Sequence, residues 1–149
     1  MRKDATSIVM VGSGGFANTY IDFIRELYET SKESIILMGV VDPFVKIAPG
    51  YEWIVSNNIP TFDTLEEFYS EQQAELAFIA TPIPLHMEQC LCALNNGSHV
   101  LLEKPIVATI QDANELEKAM TKNNKRLAVG FQWSFSETIL KLKRDIIKG

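Results

Sequence analysis

Gly12, Gly14 and Ala17 stand in the spacing Gly-x-Gly-x-x-Ala, directly after the apolar run Ile8–Val11 and directly before an amphipathic run. Those residue types in that order suit one task. Gly12 allows a tight turn at the end of a strand. Gly14 lets the backbone approach a pyrophosphate where a Cβ would intrude, and Ala17 lets the following helix pack close to the strand. Ser13, Gly15 and Phe16 complete the turn, whose free N–H groups and helix dipole would face an anion. On spacing alone, a glycine-rich turn without a ligand is an alternative. So is a turn that holds a flavin, a nucleotide sugar or S-adenosylmethionine.

Asp42 closes the next apolar run, Ile35–Val41, 25 residues after Ala17. A carboxylate there can accept hydrogen bonds from both ribose hydroxyls of an adenosine, and it repels a 2′-phosphate. Pro43 and Phe44 follow it, and Lys46 is the first cation. The pattern therefore favours NAD over NADP, with a plain Asp-Pro turn as the alternative. Thr81-Pro82-Ile83-Pro84-Leu85-His86 comes after the run Leu76–Ala80. As a proline-bearing loop it would wall the cofactor, and a histidine at a helix start is more often structural than catalytic. Glu103-Lys104-Pro105 follows Val100-Leu101-Leu102. A lysine at that strand exit, beside a nicotinamide, would donate a proton to a substrate oxygen or orient it. A simple Glu-Lys pair at a strand exit is equally compatible.

These residues need elements to position them. Phe16, Tyr20, Phe23, Ile24, Leu27 and Tyr28 fall on one face of a helix over about 15–29. The continuous run 35–41 suits a parallel strand covered on both faces. Pro43, Pro49 and Gly50 break residues 43–58, with a short helix at 51–57. A strand is expected at 59–62. A helix capped by Asp63 or Thr64 then runs to about Ser70, with Glu66 and Glu67 in its first turn. Thr81–Pro84 reads as a loop, because two prolines one residue apart cannot join a helix interior. Helices at 85–95 and 109–122 separate strands at 98–102 and 126–129. The former helix stops at Asn96-Gly97, and the latter turns Ala113, Leu116 and Met120 inward. A last amphipathic helix carries Ile139, Leu142, Ile146 and Ile147. Strand and helix patterns alternate about six times. This predicts an α/β fold with a doubly wound (Rossmann-type), mostly parallel six-stranded sheet, whose crevice lies at the carboxyl ends of the strands. Every cluster above sits at such an end.

The 149 residues are 46% hydrophobic and 22% charged, with net charge −5. Lysine and arginine do not cluster, so a nucleic-acid footprint is not expected. No apolar run approaches the roughly 20 residues that span a bilayer, and no signal-peptide pattern precedes the first strand, so the reading is cytoplasmic. Cys90 and Cys92 are two apart, cannot readily bridge on a helix, and have no second pair for a zinc site, so no metal is expected.

With these residues in hand, the chain resembles the N-terminal NAD(P)-binding domain of the Gfo/Idh/MocA oxidoreductases over about residues 7–135. The likeness rests on Gly12-Ser13-Gly14-Gly15-Phe16-Ala17, Asp42, Thr81-Pro82-Ile83-Pro84-Leu85-His86 and Gly97-Ser98-His99-Val100-Leu101-Leu102-Glu103-Lys104-Pro105. The segment Val129-Gly130-Phe131-Gln132-Trp133-Ser134-Phe135 adds to it. The resemblance implies that Lys104 is catalytic, and that a cis Lys104–Pro105 bond aims it. It implies cofactor contacts from Gly12, Ser13, Gly14, Gly15, Phe16, Ala17, Asp42, Thr81, Pro82, His86, Glu103 and Lys104. Ile83 stands where many relatives have Asn, and Ser134 where many have Arg. Family members carry a second domain with an Asp-x-x-x-His pair, which His86 and His99 do not fit. The expectation is thus that residues 1–149 form a dinucleotide-binding domain truncated before a C-terminal substrate domain. The intact protein would be an NAD-dependent dehydrogenase, homo-oligomeric, moving hydride between nicotinamide and a hydroxyl-bearing carbon of a sugar or cyclitol-like substrate. This piece would turn over little. A stand-alone nucleotide-sensing protein and an NAD-dependent glycosidase are the alternatives. Apolar surface at the last helix, Trp133 and Phe135 is expected to drive self-association.

Overall fold

A computed structural model describes residues 5–30, 35–131, 134 and 136–148. Six parallel strands, β1 (Thr6–Val11), β2 (Ile35–Val41), β3 (Thr61–Phe62), β4 (Leu76–Ile79), β5 (His99–Leu102) and β6 (Leu127–Val129), form one sheet in the order β3-β2-β1-β4-β5-β6. The helices are α1 (Ala17–Thr30), α2 (Tyr51–Ser56), α3 (Leu65–Glu71), α4 (Ile83–Asn95), α5 (Ile110–Asn123) and α6 (Glu137–Lys148), with a 3-10 turn at Val45–Ile47. This is the expected doubly wound sheet.

Strand periodicity divides the core between the two faces. Ile8 and Met10 of β1 pack with Ala17, Ile21 and Ile24 of α1 and with Ile54 of α2. Val9 and Val11 pack with Phe68 of α3, Cys90 and Leu94 of α4 and Leu116 of α5. Both faces are thus covered, which is why the strands read as unbroken apolar runs. Thr64 caps α3 with a reciprocal capping box, its side chain accepting from Glu67 N–H while Glu67 accepts from Thr64 N–H. Thr109 caps α5 by accepting from Asp112 N–H. Leu116 is fully buried, and Met120 packs half-buried against the same core.

Several element boundaries differ from expectation. Helix α1 begins at Ala17 and not at Gly15, because Gly15 sits at φ 54° and the preceding turn closes through Ala17 N–H to Gly14 O. Helix α4 begins at Ile83, with Pro82 as its N-cap and Pro84 in its first turn. Proline is excluded from a helix interior, but a first-turn N–H has no intrahelical partner to lose. Strand β3 keeps only two residues of the expected four.

None of α6 is buried, and Ile139, Leu142, Ile146 and Ile147 are exposed. Trp133 and Phe135 lie outside the described residues. Cys90 and Cys92 are free thiols. Among the described residues no helix is long and apolar enough to cross a membrane, and no group of three His, Cys, Asp or Glu side chains could hold a metal ion.

Phe68 is completely buried and meets Phe62 and Tyr69 edge-on at 5.4 and 5.0 Å. Phe68→Ala is expected to cost about 3–5 kcal/mol, read as a lower urea midpoint at unchanged slope. Burial also pushes the Cys90 thiol from 9.0 and the Tyr69 phenol from 10.0 up to about 12. The folded state holds these protons after the unfolded chain has released them, so this stability is complete below pH 9 and is lost as pH rises towards 12. The thermal midpoint, followed by circular dichroism, should be flat to about pH 9 and then fall; a midpoint that rises above that pH would contradict this.

Candidate functional site

The crossovers leave β1 in opposite directions towards β2 and β4, so the carboxyl ends of β1 and β4 border an uncovered crevice. A groove of about 750 Å³ lies there. Its lining includes Gly12, Ser13, Gly14, Gly15, Asp42, Phe44 and Ile47 from the ends of β1 and β2, and Thr81, Pro82, Leu85 and Gln89 from the chain after β4.

Each glycine of the turn answers a different demand. Gly12 has φ 95°, and a Cβ on it would lie 2.7 Å from Ala80 O, so the chain itself requires glycine. Gly15 has φ 54°, a left-handed conformation that favours glycine. Gly14 has no positive φ, and a Cβ there would meet no protein atom within 4 Å. Nothing in the chain calls for glycine at 14, which lines open groove. This fits an occupant that comes close to the backbone, such as a pyrophosphate.

Ser13 is 1% exposed and gives both its donors to Asp42 Oδ2, the backbone N–H at 2.8 Å and the hydroxyl at 2.6 Å. Asp42 Oδ1 accepts from Phe44 N–H at 2.8 Å. The carboxylate therefore fastens the glycine turn to the end of β2. Asp42, Asp63, Glu66 and Glu88 all line the groove, and its described lining holds no lysine or arginine. Phe44 and Ile47 are 69% and 84% exposed, large apolar side chains held out at the groove.

The other anticipated residues lie outside that lining. Ala17 is fully buried in the core beneath α1. Phe16 is 53% exposed and packs edge-on against Tyr20. The His86 ring is buried and turned to backbone: Nε2 lies 2.8 Å from Thr81 O, and Nδ1 lies 3.0 and 3.2 Å from Pro105 O and Ile106 O. It bridges the two loops that follow β4 and β5. Glu103 is 8% exposed, accepting from the Tyr20 hydroxyl at 2.5 Å and from Lys104 N–H at 3.1 Å. Lys104 is exposed at the end of β5, and its bond to Pro105 is cis, as the resemblance implies. Sequence reading gave Asp63 and Glu66 only cap and first-turn places on α3, and it did not single out Tyr20, Gln89 or Glu88 for the site. Tyr20 registered only as one apolar position of α1.

A family model described as "Oxidoreductase family, NAD-binding Rossmann fold" matches residues 6–131. The chain belongs to the Gfo/Idh/MocA family. Among curated relatives, 1,5-anhydro-D-fructose reductase of Ensifer adhaerens is 38% identical over 108 residues, covering 72% of this chain and 30% of that protein. The NADP(+)-named scyllo-inositol 2-dehydrogenase IolW of Bacillus subtilis is 31% identical over 85 residues, covering 57% of this chain and 24% of that protein. The WlbA dehydrogenase of Bordetella pertussis, solved with NADH and UDP-GlcNAcA, superposes with a TM-score of 0.85 at 22% identity, over 100% of this chain and 43% of that one. This chain thus spans roughly a quarter of the curated relatives and two fifths of the solved structures. The family is one of NAD(P)-binding oxidoreductases.

The two glycines separate fold from ligand. Gly12→Ala should destabilise by about 2–4 kcal/mol through positive-φ strain and the clash at Ala80. Gly14→Ala should stay within about 0.5 kcal/mol of the parent. Chemical denaturation of the two variants checks this; equal losses would remove the distinction.

Proposed function

We propose that residues 1–149 act as the dinucleotide-binding unit of a dehydrogenase, binding NAD in preference to NADP along the groove beside β1 and β4. The observation that carries this is the groove lining, which holds both the Gly12–Gly15 turn and the Asp42 carboxylate. Ser13 holds Asp42 at the end of β2, where an adenosine ribose would donate to it. A 2′-phosphate brought to the same place would meet the carboxylates of Asp42, Asp63, Glu66 and Glu88 without a cation among the described lining. Two relatives carry NADP(+) in their names, so this preference is argued from the charges of this chain alone. Thr81 and Pro82 also line the groove.

Bound NAD supplies the two-electron acceptor or donor. Lys104 takes the proton of a substrate hydroxyl as the carbonyl forms, and returns it in the reverse direction. The names of relatives, an anhydrofructose reductase and scyllo-inositol dehydrogenases, support a sugar or cyclitol-like substrate. Residues 1–149 alone turn over little in this reading, with the substrate pocket and a homo-oligomeric contact completed elsewhere in the intact protein.

Calorimetric titration of this chain with NADH and NADPH tests the reading. NADH is expected to bind at least roughly tenfold more tightly, a difference of about 1.4 kcal/mol. Asp42→Ala should weaken NADH binding by about 1.5–3 kcal/mol. Absence of NADH binding at millimolar concentration, or tighter binding of NADPH, would overturn it.

A further inference from the structure

We infer that Tyr20 is a positioning residue for Lys104: its hydroxyl orients the Glu103 carboxylate, and that carboxylate holds the backbone turn that carries the lysine. The inference rests on the reading of Lys104 as the acid–base group.

Tyr20 lies in the first turns of α1, directly after the glycine turn, while Glu103 lies 83 residues on, at the exit of β5. Their hydroxyl and carboxylate oxygens are 2.5 Å apart. At 8% exposure Glu103 depends on hydrogen bonds in place of water. Its two oxygens divide them, Oε1 accepting from Tyr20 and Oε2 from the N–H of Lys104. The direction of one bond therefore fixes the direction of the other. The N–H of Glu103 donates to Ile79 O at 2.8 Å, which pins the strand end from which this carboxylate swings. Beyond that point Lys104 is exposed, and its backbone N–H is its tie to the pair.

The surroundings leave the phenol one use. Phe16 and Phe78 flank its ring, each at 5.9 Å between centroids. Gly130, just after β6, closes over the pair: a Cβ there would stand 3.1 Å from Glu103 Oε1 and 3.2 Å from the Tyr20 hydroxyl. Burial, helped by the neighbouring carboxylate, raises the phenol's affinity for its proton far above the ordinary range, so it is a donor at any pH at which the protein works. Phenylalanine would serve the apolar face of α1 equally well. The hydroxyl is explained by Glu103.

The test uses the 149-residue chain and its variants Tyr20→Phe and Gly130→Ala, by nuclear magnetic resonance. Amide exchange reads the turn, and the chemical shift of a ¹³C-methyl-labelled Lys104 amine reads the side chain. Tyr20→Phe should speed exchange of the Lys104 amide roughly tenfold or more, the equivalent of one hydrogen bond to a charged group. It should also displace the Lys104 methyl resonance while that of Lys118 on α5 and the amides of Val9 and Val100 stay as in the parent. Gly130→Ala, which keeps both partners and crowds them, should move the same two readouts. Lys104 amide exchange and methyl resonance unchanged in either folded variant would overturn the role of Tyr20. No cofactor is present in these measurements. A parent chain that binds no NADH would instead overturn the reading of the groove.

Discussion

The pairing of β1 on both sides is the constraint from which the site follows. With β2 on one flank and β4 on the other, the chain leaves β1 in one direction and returns in the opposite one. No connection can then cover the carboxyl ends between them. Gly12, at the end of β1, must turn within van der Waals reach of Ala80, at the end of β4. The groove is the space this closeness leaves, and the glycine turn, Asp42 and Thr81 border it because the strands deliver them there.

Polar ties then fix what the sheet brings near. Asp42 holds the glycine turn, the His86 ring joins the carbonyl of Thr81 to those of Pro105 and Ile106, and Tyr20 meets Glu103. Each tie spans two strand exits or joins one to α1. Such hydrogen bonds contribute modestly to net stability, about 1 kcal/mol between neutral groups and about 1.5–3 kcal/mol to a carboxylate, and leaving a buried partner unmatched also costs. Their main effect is geometric. They set loops that would otherwise depend on short turns alone.

Much of this was legible in the sequence for physical reasons. Strands covered on both faces must be continuously apolar, and runs such as Ile8–Val11 and Ile35–Val41 announce themselves. Gly12 and Asp42 mark strand ends by type. What failed to read depended on partners distant in the chain. The periodicity of α1 treats Tyr20 as it treats Phe23, since the hydroxyl's partner lies 83 residues away. His86 read as a helix-start histidine, structural by its place and a cofactor contact only through the resemblance; the carbonyls that its ring meets, in the loops after β4 and β5, were not legible. The start of α4 was misplaced because the penalty for proline applies to a helix interior, whereas Pro84 sits in a first turn.

A carboxylate has about four lone-pair directions. Asp42 already spends three of them, on Ser13 N–H, Ser13 Oγ–H and Phe44 N–H. One direction, on Oδ1, is left for an incoming hydroxyl. A ribose that presents two must displace a donor, and the Ser13 hydroxyl is the one that can rotate away without moving the backbone. On the proposed function, a ribose at Asp42 would exchange partners more than add contacts, and Ser13, which looks like scaffold, would be the group that yields its place.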